Sequence, residues 1–135
     1  MTRDDGFLGG RLVLRQPARG YRAGADAVML AAACPAGAGQ RVLELGCGAG
    51  VALFCLGARV PGLALAGLER QPALADLARH NAAATGIPAR IVTGDLAEVW
   101  RRMAPRQRRG RNGAIGVSAT TPAPSGKIGP CAEKL

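Results

Sequence analysis

Glu44, Glu69 and Asp95 are spaced 25 and 26 residues apart, and each stands at or near the end of a short apolar run. The first of them lies in Arg41–Gly50, R-V-L-E-L-G-C-G-A-G, where a hydrophobic stretch runs into a glycine-rich turn. A carboxylate at such a place accepts hydrogen bonds from hydroxyl and amino groups, favours a cation and repels a phosphate. Glycine at positions 46 and 48 removes side chains, so a ligand can lie directly on the backbone. The chemistry on offer is recognition of a polar, cationic small molecule. No nucleophile paired with a base stands out. Cys47 sits in the turn without a partner base, and the only histidine, His80, falls in text that reads as an exposed helix surface.

The elements that must carry these groups follow from pattern. Arg41–Leu45 reads as a buried strand, with a helix from about Ala49 to Arg59 that Pro61-Gly62 breaks. Leu63–Leu68 is a second strand, so nearly continuous in apolar residues that both its faces should be covered. Pro72 opens the next helix and Gly86 ends it. Ala89–Thr93 is a third strand, and Asp95-Leu-Ala-Glu98 has the spacing of a capping box opening a helix through about Met103. Upstream, residues 7–15 suggest a short hairpin turning at Gly9-Gly10. Asp26 is placed to cap a helix, D-A-V-M-L-A-A-A-C, apolar on nearly every side and therefore expected to be buried. Strand–helix repeated three times implies parallel strands with right-handed crossovers, an open α/β sheet.

In open α/β sheets, ligands bind outside the carboxyl ends of the strands, so one β-α repeat between successive acids lets all three face one crevice. A dinucleotide site would place a third glycine at position 51, which is Val51, and would not set Glu44 beside a pyrophosphate. The ligand that suits the site lacks phosphates, carries positive charge, and offers ribose hydroxyls and an adenine amino group. S-adenosylmethionine fits that description, with Glu44 toward the ammonium end, Glu69 accepting from the ribose hydroxyls and Asp95 from the adenine amino group. Taken singly, Asp95 is as readily a helix N-cap and Glu69 a solvated strand end. Glu44 is harder to dismiss, because an unpaired carboxylate between Leu43 and Leu45 in a buried strand is costly.

Composition bounds the rest. The chain has 135 residues and a net charge of +9, with four aromatic residues (Phe7, Tyr21, Phe54 and Trp100). Residues 1–100 hold ten arginines against eight acids, a net +2, whereas residues 101–135 hold six arginines and two lysines against one acid, a net +7. Basicity thus belongs to the tail. Four cysteines without C-x-x-C spacing and one histidine argue against a metal site, and the thiols read as reduced, in a cytoplasm. The N-terminus lacks an apolar signal core, and no apolar run reaches membrane-spanning length. Beyond Arg106 the text is rich in Pro, Gly, Ser and Thr and loses periodicity, so a disordered tail is expected.

E-L-G-C-G-A-G, G-L-E-R and T-G-D-L are similar to motifs I, II and III of class I S-adenosylmethionine-dependent methyltransferases. The upstream G-Y-R-A-G-A-D-A-V-M-L-A-A and the helix text A-L-A-D-L-A-R-H-N-A-A-A-T-G resemble the small-domain members acting on nucleic acids, particularly the bacterial tRNA adenine N6-methyltransferase group, with Asn81 matching a recurrent asparagine. The resemblance covers about residues 6–100. It implies a Rossmann-like fold and transfer of a methyl group to an adenine N6 in RNA, tRNA above all. It also implies cofactor contacts from Glu44, Gly46, Gly48, Glu69 and Asp95 with the neighbouring Leu45, Cys47, Gly50, Arg70 and Leu96. Tyr21, Arg22 and Asp26 would line the site, and no residue is implied as a protonating or nucleophilic catalyst.

One departure stands out: that group's Asn-Pro-Pro-aromatic motif, which receives the target amino group and stacks on the base, is absent from this chain. Ile115-Gly-Val is too short and glycine-bound to read as a fourth strand, which would leave Arg41–Leu45 with an unpaired edge. Residues 1–104 therefore read as an incomplete cofactor-binding domain of three parallel strands. Residues 105–135 read as a basic tail, disordered or frame-shifted. A cofactor-binding module with an RNA-touching tail and a nonfunctional fragment are the alternatives.

Overall fold

The computed structural model describes residues 1–98 and the backbone of residues 115–118. Strands β1 (Thr2–Phe7) and β2 (Leu12–Pro17) form an antiparallel hairpin, followed by α1 (Ala25–Ala33). Then β3 (Arg41–Leu45), α2 (Val51–Arg59), β4 (Ala64–Glu69), α3 (Pro72–Thr85) and β5 (Ala89–Thr93) alternate, and β6 (Ile115–Ser118) closes the order. The parallel sheet runs β5-β4-β3-β6. This is the expected α/β, Rossmann-like arrangement, with the site strand β3 inside the sheet.

Four expectations are corrected. First, the hairpin begins at Thr2 rather than Phe7. The charged text T-R-D-D forms β1 because its peptide groups pair with β2 and Asp4 accepts from Arg15 at 2.8 Å, while Leu8 is drawn into the turn at φ 53°. Second, Ile115–Ser118 does form a strand, in parallel register with β3 from Val42–Ile115 to Leu45–Ser118. Four residues suffice because the exposed edge of β3 already presents its N–H and C=O groups. Third, α1 is only partly buried: Ala27 and Ala31 face inward, but Met29 is 70% exposed. Its two inward alanines need little cover. Fourth, Asp26 lies inside the first turn of α1, and Gly24 holds the cap position.

The core is built on α2 and the hairpin. Phe54, Leu14 and Leu53 are fully buried, and Leu12, Val42, Leu56 and Leu65 join them. Burial of each such side chain contributes about 1.5–3 kcal/mol. Along β3, Val42 and Glu44 are buried while Leu43 and Leu45 are half-buried, and β5 is largely exposed. β4, the strand expected to be covered on both faces, is so covered: Leu65, Gly67 and Glu69 are buried on one side, and Leu68 is buried with Ala66 half-buried on the other. A helical turn opens at residue 96. The remainder of the expected helix to Met103, Trp100 included, and the tail apart from residues 115–118 lie outside the described residues. No helix among the described residues is long and apolar enough to cross a membrane.

Candidate functional site

The glycine turn after β3 is organised by β4. The Gly46 and Cys47 N–H groups both donate to the Leu68 carbonyl, at 2.7 and 3.0 Å, and the Gly50 N–H donates to the Cys47 carbonyl at 2.8 Å. Gly46, Gly48 and Gly50 have φ of 74°, 56° and 84°, a left-handed conformation that side-chain-bearing residues adopt only at a cost. The Cys47 side chain fills the slot left by Gly67 in β4, since a Cβ at Gly67 would stand 2.6 Å from Sγ. Burial, with Glu44 and Glu69 nearby, pushes the Cys47 thiol up to about 12. It is a packing group rather than a nucleophile. A Cβ on Gly48, by contrast, would meet nothing within 4 Å, so open space lies above that residue.

The three carboxylates differ in their surroundings. Glu69 is 4% exposed, and its Oε2 accepts from the Gly48 N–H at 2.9 Å and its Oε1 from the Gln71 N–H at 2.8 Å. Each oxygen retains a lone pair for a further donor. Asp95 caps the following helical turn, with Oδ1 accepting from the Ala97 N–H at 2.8 Å, and Oδ2 lies 4.0 Å from Arg70 Nη1. Glu44 is 3% exposed, and its Oε2 has no hydrogen-bond partner among the described residues. Desolvation raises its carboxyl to about 8, against an opposing contribution from the Leu53 N–H in the first turn of α2 and a reinforcing one from Glu69.

Beside Glu44, a pocket is lined by Tyr21, Asp26, Gly46, Cys47 and Gly48, and Glu44 also borders a second, apolar one with Val42, Leu53 and Leu56. The lining of the first also includes Val51 and, not proposed as site residues from the sequence, Gln16, Ala23, Leu30 and Leu74. The Tyr21 hydroxyl donates to Asp26 Oδ2 at 2.6 Å, and the Gly24 N–H donates to Oδ1 at 2.8 Å. These bonds hold the Asp26 carboxyl below its ordinary range and push the Tyr21 hydroxyl up to about 12. Among the other candidates, Arg22 turns away to pair with Asp5, and Gly50 lies under the Phe54 ring. Glu69, Arg70 and Asp95 lie along the neighbouring strand ends, outside the pocket lining, and Leu96 is 48% exposed. Gln16 stands in phase with the buried Leu12 and Leu14, a signal missed because the expected hairpin ended at residue 15.

Residues 24–104 match the family described as the methyltransferase small domain. No curated protein sequence matches the chain. Among solved structures, a mitomycin 7-O-methyltransferase is similar at 29% identity with a TM-score of 0.50, over 55% of this chain and 22% of its own. A SAM-dependent methyltransferase from Agrobacterium tumefaciens aligns at 17% identity with a TM-score of 0.59, over 78% of this chain and 36% of its own, a likeness of fold. The chain thus spans about a fifth to a third of the length of these structures.

Proposed function

The chain belongs to the methyltransferase small domain family, and from that premise we propose that it binds S-adenosylmethionine along β3, β4 and β5 and serves methyl transfer to an adenine N6 in RNA. The observation that carries the cofactor reading is Glu44: a buried carboxyl with an orphaned Oε2 on the wall of a pocket is built for a cationic N–H donor. The space above Gly48 is left clear for a ligand on the backbone. Glu69, oriented by two backbone N–H groups, has lone pairs left for the ribose hydroxyls. Asp95, with Arg70 and Leu96 beside it, takes the adenine end. Tyr21 and Asp26 stand at the other end of the line, next to Glu44.

The cofactor supplies a sulfonium methyl group whose transfer needs alignment of donor and acceptor more than an ionised protein base. What this chain contributes is the seat: glycines that admit the ligand, carboxylates that orient it, and a wall that excludes water from one end. The adenine N6 and tRNA reading rests on the G-Y-R-A-G-A-D-A-V-M-L-A-A and A-R-H-N-A-A-A-T-G text. A cytoplasmic setting belongs to the same reading, as does RNA contact by the basic segment of residues 101–135. A second reading, cofactor binding without transfer, is favoured by one observation: no Asn-Pro-Pro-aromatic segment occurs in the sequence.

Titration calorimetry with S-adenosylmethionine is expected to give a saturable heat, and Glu69→Ala to weaken binding by roughly tenfold or more, the worth of one good charge-assisted hydrogen bond. Undiminished affinity in Glu69→Ala would sink the ribose assignment. Methyl transfer from labelled cofactor to bulk tRNA separates the two readings. Label in RNA supports the transferase, and saturable binding with no label supports the binding module.

A further inference from the structure

Two buried carboxamides flank neighbouring residues of β2. Asn81, on α3 and 1% exposed, accepts the Arg15 N–H at 2.8 Å and donates to the Arg15 carbonyl at 2.9 Å. Its second N–H donates to the Ala49 carbonyl in the glycine turn, also at 2.9 Å. Gln16, 2% exposed, accepts the Ala23 N–H at 2.9 Å and donates to the Ala23 carbonyl at 3.0 Å. Its second N–H donates to Asp5 Oδ2 at 3.0 Å, and Asp5 also pairs with Arg22. In both cases a side-chain amide bonds the N–H and C=O of a single residue, as an adjacent β-strand would.

The consequence is spatial. Through Asn81, Arg15 is tied to the turn that carries Gly46–Gly50. Through Gln16, the next residue along β2 is tied to the segment that carries Tyr21 and Asp26. Those are the two sides of the pocket beside Glu44. Apolar side chains at 16 and 81 could fill the same volume, but cores of that kind repack readily, whereas a satisfied buried polar network has one geometry. β2 also lies outside residues 24–104, the part matched to the family. The element that ties the two walls together is thus one the family match does not contain.

We propose that β2 is the brace that sets the separation of the two pocket walls, and that Gln16 and Asn81 are positioning residues for the ligand. The consequence for affinity rests on the cofactor reading above; the brace itself does not.

Amide hydrogen exchange on the full chain tests the brace directly. Gln16→Ala should speed exchange in residues 21–26 and spare residues 46–50, and Asn81→Ala should do the reverse. Where alanine unfolds the chain, Gln16→Glu and Asn81→Asp keep the acceptor oxygen, remove the amide donors, and should give the same two patterns. Unchanged exchange in both segments, or acceleration spread over the whole chain, overturns the proposal. In calorimetry with S-adenosylmethionine, each variant should raise Kd by about tenfold, one lost positioning bond, at unchanged stoichiometry. A reduced stoichiometry at the parent Kd means a merely structural role and also overturns it. If the parent chain itself shows no binding heat, the cofactor reading has failed, and the exchange pattern still decides the brace.

Discussion

Glu44→Leu should make the ligand-free chain more stable and at the same time remove its affinity for S-adenosylmethionine. The wild-type side chain is buried with an orphaned oxygen, and replacing such a group by an apolar one of similar size is worth about 1–3 kcal/mol. The gain should depend on pH. The Glu44 carboxyl ordinarily titrates at 4.5 and is raised to about 8. Between those values the folded state keeps a proton that the unfolded state gives up. The stabilisation from protonated Glu44 is therefore complete below about pH 4.5 and is lost as pH rises through about 8. Parent and variant should differ least near pH 5 and most near pH 8.5, by urea denaturation. Cys47 and Cys55 do not confuse that window, because their thiols normally titrate at 9.0 and burial moves them upward, to about 12 and 11. A gap between the two proteins that does not widen with pH would contradict the buried, protonated carboxyl.

The same substitution should cost the cofactor at least about a hundredfold in affinity, because truncating one partner of a buried charge pair costs about 3–5 kcal/mol. In the parent, affinity should rise between pH 6 and 8.5, as the bound cation draws Glu44 into its ionised form. A group that weakens the empty fold and strengthens the filled one is the signature of a binding site rather than of a core. Equal affinity in Glu44→Leu would remove Glu44 from the site.

The second large effect separates two glycines of one turn. Gly50→Ala should cost the fold about 2–5 kcal/mol. Its φ of 84° is strained for alanine, by about 1–2 kcal/mol, and the new Cβ would clash with the Phe54 ring at Cε2 and Cδ2. Phe54 is wholly buried, so its ring has nowhere to go, and overpacking adds about 1–3 kcal/mol. Against a total stability of about 5–15 kcal/mol, that loss is severe. Gly48→Ala, at φ 56° with nothing within 4 Å of its Cβ, meets only the backbone strain. It should fold with a loss of about 1–2 kcal/mol but place a methyl group where the ligand lies. Thermal unfolding and cofactor calorimetry on the two variants should give opposite rankings: Gly50→Ala worse in stability, Gly48→Ala worse in Kd for the folded protein. The same ranking in both measurements would mean that the turn has no ligand side.

Much of this was legible in the chain itself. The first two β-α repeats and the third strand were readable because periodicity, Pro72 and Gly86 are local signals, and local signals set where a strand or helix begins and ends. α3 and β5 fall where the sequence places them, from Pro72 to Thr85 and from Ala89 to Thr93. The acids Glu44, Glu69 and Asp95 were readable as a set because one repeat separates each pair, and a parallel sheet must bring such positions to one edge. What a carboxylate then meets is not local. That Glu69 is bonded twice by backbone N–H groups, while Glu44 keeps an oxygen without a partner, follows from how β4 and α2 pack against β3. The charged β1, the four-residue β6 and the hydrogen-bond partners of Gln16 and Asn81 were invisible for the same reason. Each depends on a backbone group offered by a residue distant in sequence: Asp4 opposite Arg15, Ile115 beside Val42, Asn81 against Arg15 and Ala49. The sequence by itself determined the class of the fold and the kind of ligand its acids would suit. Only the tertiary structure decided which carboxyl is left wanting a partner and which strand holds the pocket open, because desolvation and hydrogen-bond satisfaction belong to the packed chain.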